Sequence, residues 1–267
     1  MTGASDTPAP QATPVPTEGA RAATLHVPVL LDEVLEALAP RAGGRYLDGT
    51  VGLGGHSAAI MERIGPDGEL CCLDRDTAAL AHARQRLAPW GGRVHFFHTR
   101  YADFEAALDQ LGWDKVDGAL AKWRATSRNH PATRTFQALR MAVNDELGQL
   151  ERFLDRILER LNPGGRLAVI TFHSLEDRIV KHRLRDESQG CVCPRTVARC
   201  ECGHKARVDV LTRKPVTASE AELARNSRAA SAKLRAAVRL AEGQAPRPRR
   251  RNKYAPEGRD ATEGDAS

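Results

Sequence analysis

Apolar residues recur at helical spacing through HVPVLLDEVLEALAP, residues 26–40, where Val29, Leu30, Val34, Leu35 and Leu38 form one stripe. Pro40 and the glycines behind it end this helix. The pattern then alternates. GRYLDGT (44–50) reads as a strand running into a glycine-rich turn, GGHSAAIMERI (54–64) as a helix, and ELCCLDRD (69–76) as a strand at its start. TAALAHARQRLAP (77–89) is helical, RVHFFHTR (93–100) a strand, ADFEAALDQLG (102–112) a helix, and VDGAL (116–120) a fourth strand. Such alternation predicts a parallel sheet covered by helices on both faces.

The pattern resumes in NDELGQLERFLDRILERLNPGG. There Leu147, Leu150, Phe153, Leu154, Ile157, Leu158 and Leu161 keep a helical period. RLAVITF (166–172) is almost wholly apolar and predicts a central, buried strand. HSLEDRIVKHRLRDE predicts a helix with Leu175, Ile179 and Val180 facing the sheet. ARVDVLTRKPV (206–216) contains a strand, SEAE (219–222) offers a capping box into a short helix, and SAKLRAAVRL (231–240) fits helix or strand. Pro, Thr and Ala dominate residues 1–25, which are expected to be a disordered tail; residues 241–267 are expected to be a second, basic one.

Length adds that 267 residues suffice for one sizeable core with a small appendage. Apolar residues make up 41% of the chain, yet no apolar run approaches the roughly 20 residues of a membrane span. The N-terminus lacks the charged start and apolar core of an export signal, so a cytoplasmic setting is expected. Forty Lys and Arg against 34 Asp and Glu leave +6, densest in PRPRRRNK, residues 246–253. That patch suits a polyanion such as nucleic acid, or is a solvated tail.

Chemistry concentrates first in LDGTVGLGGHS, residues 47–57, between a strand and a helix. Gly52, Gly54 and Gly55 permit tight turning and close approach of a ligand to backbone, although the spacing is not that of a dinucleotide fingerprint. Asp48 lies at the carboxyl end of the first strand and Asp74 at that of the next, where a carboxylate can accept both ribose hydroxyls. A carboxylate at Asp48 disfavours an anion and favours an ammonium or sulfonium. The following helix N-terminus suits a ligand carboxylate. S-adenosylmethionine combines ribose, cationic centre and carboxylate. His56 either touches such a ligand or caps the helix.

DGTVGLGGHS, HPATRTFQALRMAVNDEL, PGGRLAVITFHSLEDRIVK, TRKPV and NSRAASAKLR, in this order, resemble the bacterial ribosomal RNA small-subunit methyltransferase H family over residues 26–120 and 129–240. The resemblance implies an α/β, Rossmann-like S-adenosylmethionine-dependent methyltransferase sheet with helices on both faces. It implies methylation of the exocyclic amine of a cytidine in 16S rRNA, within the small ribosomal subunit. By it, Gly54, Gly55 and His56 line the methyl donor, Asp74 binds ribose, and Tyr101 packs by the adenine or covers the sheet edge. Residues 26–120 become the donor-binding half and 136–240 the second half, with a Cys-rich hairpin at 191–204.

The chain departs from that family after its fourth strand. Family members continue into an Asp-Leu-Gly-Val-Ser-Ser segment and a helical subdomain. Here VDGAL passes through AKWRATSRN directly to HPATRTFQ, so residues 121–135 replace the inserted subdomain. The missing segment resembles the supplier of acceptors that would hold the target amine, so the sequence assigns no catalytic residue. Two readings follow: a cytidine methyltransferase impaired at this step, or an inactive RNA- or subunit-binding protein that keeps the donor pocket.

Other candidates serve the target. Arg134 and Arg140 suit RNA phosphates, and Gln137 lies between them; Asn144 suits a hydrogen bond to donor or target. The alternative is the polar start of an ordinary helix. His173 and Ser174 follow the most buried strand and are candidates to meet the target nucleotide; His173 either orients it or caps the next helix. Cys191, Cys193, Cys200 and Cys202 offer four thiolates for a structural zinc, with free thiols in a hairpin as the alternative. Cys71 and Cys72 read as core.

Overall fold

The computed structural model describes residues 27–122, 145–194 and 199–247. The candidates Arg134, Gln137, Arg140 and Asn144 lie outside these residues, as do nearly all of the replaced connection and most of both tails.

Helix α1 (Leu31–Leu38) leads into β1 (Arg45–Asp48), α2 (Gly55–Ile64), β2 (Glu69–Asp74), α3 (Thr77–Leu87), β3 (Val94–His98), α4 (Phe104–Gln110) and β4 (Val116–Lys122). After the undescribed stretch come α5 (Glu146–Ile157), β5 (Leu161–Thr171), α6 (Ser174–Glu187), β6 (Val208–Val210), α7 (Glu220–Arg225) and β7 (Lys233–Arg239). The strands form one sheet in the order β3-β2-β1-β4-β5-β7-β6. Strands β1 to β5 run parallel; β7 is antiparallel to both β5 and β6. SAKLRAAVRL is therefore strand, sealing the β5 edge that a purely parallel sheet would expose.

The pleat sends successive residues to opposite faces. Leu47, Cys71, Leu73, Ala119, Leu167 and Val169 meet Phe104 of α4, Phe153 and Ile157 of α5, and Val180 and Leu184 of α6. Tyr46, Leu70, Cys72, Leu120, Ala168 and Ile170 meet Val34 and Leu38 of α1, Ile60 and Ile64 of α2, and Leu80 and Leu87 of α3. Cys71 and Cys72 thus serve opposite cores. Burial pushes the Cys71 thiol up to about 12 and the Cys72 thiol also well upward. Each fully buried aliphatic side chain contributes about 1.5–3 kcal/mol.

Four expectations change. The first helix is eight residues long, because Leu30 takes a left-handed conformation at φ 54°. Leu161 begins β5 rather than ending a helix: α5 stops at Ile157, and Val116 of β4 pairs with Leu161. Leu175 is exposed at the first turn of α6; Val180 is buried as expected, Ile179 is partly buried against the core, and Leu184 joins the buried face in place of Leu175. Ser219 accepts from the Glu222 N–H, but the Glu222 carboxylate accepts from the Leu30 N–H at 2.7 Å. The short helix therefore clasps the N-terminal segment. Among the described residues no helix is long and apolar enough to cross a membrane.

Candidate functional site

Strand order reverses between β1 and β4: the chain builds outward from β1 through β2 to β3, then returns to add β4 and β5 on the other side. In open α/β sheets the crevice at the carboxyl ends of such strands is the place for a ligand. The glycine turn lies here and is clamped on both sides. The Gly49 N–H donates to the Leu120 carbonyl of β4, and the Val51 N–H to the Leu73 carbonyl of β2, each at 2.8 Å. Gly52 (φ 56°) and Gly54 (φ 77°) occupy the left-handed region that favours glycine. Nothing lies within 4 Å of a Cβ built at Gly52, so the turn leaves open space there.

Asp74, at the end of β2, is turned toward this space. Its Oδ2 accepts from the Gly52 N–H at 2.9 Å and its Oδ1 from the Asp76 N–H at 3.0 Å. Each oxygen keeps a lone pair that can accept a ribose hydroxyl. Tyr101 follows β3 at the same edge. Its ring meets Phe153 edge-on at 5.7 Å, and its Cβ lies 3.0 Å from where a Gly49 Cβ would stand. The tyrosine thus covers the sheet edge, with its hydroxyl donating to the Glu146 carbonyl at 3.3 Å.

Asp48 differs from its sequence expectation. It is wholly buried, and a ligand does not meet its carboxylate first. Oδ1 accepts from the Thr50 N–H at 3.1 Å; Oδ2 accepts from the Ser57 hydroxyl and from Lys122 Nζ, both at 2.8 Å. The lysine comes from the end of β4, and its own N–H donates to Thr50 Oγ1 at 2.9 Å. The carboxylate that would draw a cation is already neutralised by an internal one.

Gly55 and His56 hold a strap. Residues 27–30 cross the start of α2, and a Cβ on Gly55 would stand 2.4 Å from Pro28 Cγ. His56 Nε2 is 2.9 Å from the Val29 carbonyl, and Asn226 Nδ2 donates to the Val27 carbonyl at 3.1 Å. This ordered segment, pinned by His56, Glu222 and Asn226, was missed from sequence; HVP reads there as helix start.

His173 caps α6. The Glu176 Oε2 accepts from the N–H groups of Phe172 and His173 at 3.1 and 3.2 Å, closing the reciprocal half of a capping box. Ser174 is exposed at the first helical position. Asp177 accepts from Nε and Nη2 of Arg235 from β7, at 2.6 and 3.1 Å.

Cys191, Cys193, Cys200 and Cys202 converge, with their sulfur atoms all within 4.8 Å of one another. Cys200 and Cys202 sulfurs are 3.5 Å apart and those of Cys202 and Cys191 3.8 Å. Thiolates around a tetrahedral zinc, each about 2.3 Å from the ion, stand about 3.8 Å apart. Backbone N–H groups of Val192 and His204 bring the Cys202 thiol down to about 6, whereas at Cys191 the lowering by the Cys193 N–H is outweighed by hydrogen bonds with the Cys200 and Cys193 thiols, which push it up to about 12. His204 instead turns its Nε2 to the Asp186 carbonyl at 3.0 Å.

Comparison with known proteins bears on the family and the fold. The model of the MraW methylase family matches in two pieces, residues 23–123 and 119–240. The chain is 68% identical to the ribosomal RNA small subunit methyltransferase H of Nitratidesulfovibrio vulgaris (strain Miyazaki F), covering 100% of both chains. That alignment spans 361 positions against 267 residues here, a difference of 94. The protein of the same name from Oleidesulfovibrio alaskensis is 47% identical over 81% of this chain and 96% of its own. In fold, the chain is similar to a Clostridium thermocellum protein provisionally described as an rRNA-methylase. Its TM-score is 0.52 at 14% identity, covering 82% of this chain and 100% of that one.

Proposed function

The chain belongs to the MraW methylase family, and on that premise we propose that it methylates the exocyclic amine of a cytidine in 16S rRNA. The donor is S-adenosylmethionine, the substrate the small ribosomal subunit, and the setting the cytoplasm. The observation that carries this reading is the open glycine turn beside Asp74 at the point where strand order reverses. Residues 27–120 form the donor half. Asp74 takes the ribose hydroxyls, the turn at Gly52 admits the ligand to backbone, and Tyr101 borders the adenine. The start of α2 favours the ligand carboxylate. When bound, the donor supplies an electrophilic methyl group on a sulfonium. The protein's part is to hold the nucleoside across β2 and β1 and to aim that methyl outward at an unstacked base.

A second reading has its own support. The family match breaks where β4 ends, and 94 aligned positions of the Nitratidesulfovibrio relative have no counterpart here. A protein that binds the subunit through a retained donor pocket, without transferring methyl groups, fits that break. Incubating the purified chain with labelled donor and undermethylated small subunits separates the two. Label in one cytidine of 16S rRNA supports the enzyme; subunit binding without label supports the binder.

The cysteine hairpin is proposed to hold one structural zinc through Cys191, Cys193, Cys200 and Cys202. Four closed thiolates leave no open position for substrate, so the metal's part is to fix the hairpin.

A further inference from the structure

We propose that Lys122 makes the crevice selective for a neutral thioether nucleoside over its cationic sulfonium counterpart, an inference that rests on the proposed donor pocket. Sheet order sets the direction of a bound nucleoside. Tyr101 follows β3, Asp74 ends β2, Asp48 ends β1 and Lys122 ends β4. Neighbouring strands are about 4.8 Å apart. A ribose held at Asp74 therefore carries its 5′ substituent over β1, one strand spacing on, toward the Asp48–Lys122 pair. In S-adenosylmethionine that substituent is the charged sulfur.

Exposure decides which charge the sulfur meets. The Asp48 side chain is 0% exposed and that of Lys122 15%, so the lysine is the member of the pair that a ligand can reach. The pair is fixed at both ends: Ser57 and the Thr50 N–H hold Asp48, and Thr50 Oγ1 holds the lysine backbone. A sulfonium then approaches a pair presented with its positive end outward. Like charges a few ångströms apart at such a half-solvated edge disfavour each other by about tenfold. The demethylated thioether, S-adenosylhomocysteine, has the same adenosine, ribose and amino-acid groups and escapes that repulsion.

The test is calorimetric titration of the full chain with the two nucleosides in turn. The wild-type protein is expected to bind the thioether about tenfold or more tightly than the sulfonium. Lys122→Gln keeps an N–H donor for Asp48 but removes the charge, and is expected to bring the ratio to one or below. Lys122→Arg keeps the charge and is expected to keep the preference. Thermal melting verifies that each variant is folded. A wild-type ratio near one, or a ratio unchanged in Lys122→Gln, overturns the assignment while leaving the pocket intact. Failure of all three folded proteins to bind either nucleoside overturns the proposed function, and this inference with it.

Discussion

Glu222 accepts a hydrogen bond from the Leu30 N–H at 2.7 Å across 192 positions of sequence. Leu30 is fully buried, and its left-handed backbone costs about 1–2 kcal/mol for an L-residue. Burial of the leucine and the charged acceptor on its N–H offset that cost. Glu222→Ala is expected to destabilise the protein by about 1–3 kcal/mol, whereas the neighbouring exposed Glu220→Ala should change stability by under about 0.5 kcal/mol. Chemical denaturation measures both; equal midpoints for the two variants would remove the clasp from the account.

Pro28 and Gly55 give a second prediction. A Cβ at Gly55 would sit inside the Pro28 ring's contact distance, so Gly55→Ala should cost about 1–3 kcal/mol by displacing the strap. Removing most of the ring in Pro28→Ala should relieve the clash. The double variant should then be more stable than Gly55→Ala alone, a non-additivity that a mutant cycle detects. Additive losses would show that the two residues do not press on each other.

For Asp74, the expected effect is on ligand affinity. Asp74→Ala removes the acceptor proposed for ribose and should weaken S-adenosylhomocysteine binding by about 10- to 100-fold. Because the same carboxylate holds the Gly52 and Asp76 N–H groups, Asp74→Asn, which keeps one carbonyl oxygen, should lose less. Unchanged affinity in a folded Asp74→Ala protein counts against the pocket.

Acid should loosen the end of α6. Burial acts to raise the Glu187 carboxyl, but the Arg207 guanidinium, bonded to it at 2.6 Å through two nitrogens, outweighs that and holds it below the usual carboxylate range. A lowered native value means stability that is present above the unfolded pKa of about 4.3 and lost as pH falls through the native value. Wild-type protein should therefore lose more stability between about pH 5 and pH 3 than Glu187→Gln does. Melting temperatures across that range provide the comparison, and parallel curves would contradict it.

One zinc per chain is expected by elemental analysis of protein purified without chelators. Cys202→Ser should lower that content and leave the sheet's melting intact, since the hairpin lies outside both cores. A metal-free wild-type preparation whose hairpin resists proteolysis would sink the site.

The identities of β1 to β5 were legible because each carries its own period; that of β7 was not, since SAKLRAAVRL fits helix or strand. Two-residue alternation puts Tyr46 and Leu47 on opposite faces, and helical spacing gathers Leu150, Phe153, Leu154 and Ile157. The glycine turn and the two aspartates at strand ends were legible for the same reason, since a strand, its turn and the next helix are contiguous. Leu161 was misplaced where a helical period ran past the end of α5, and Leu175 because it stands on the exposed side of the first turn of α6. Local spacing does not say where a chain must turn to join a sheet.

What the sequence by itself determined was local: which stretches before residue 231 are strand or helix, where glycine must bend the backbone, and which carboxylates reach the strand ends. The tertiary structure decided the partners. Lys122 neutralises Asp48 from 74 positions away, Glu222 secures Leu30, and β7 turns antiparallel to close the β5 edge. The physical reason is that a charge or a polar group acts over a few ångströms of space, and only the register of the sheet brings those groups within that distance.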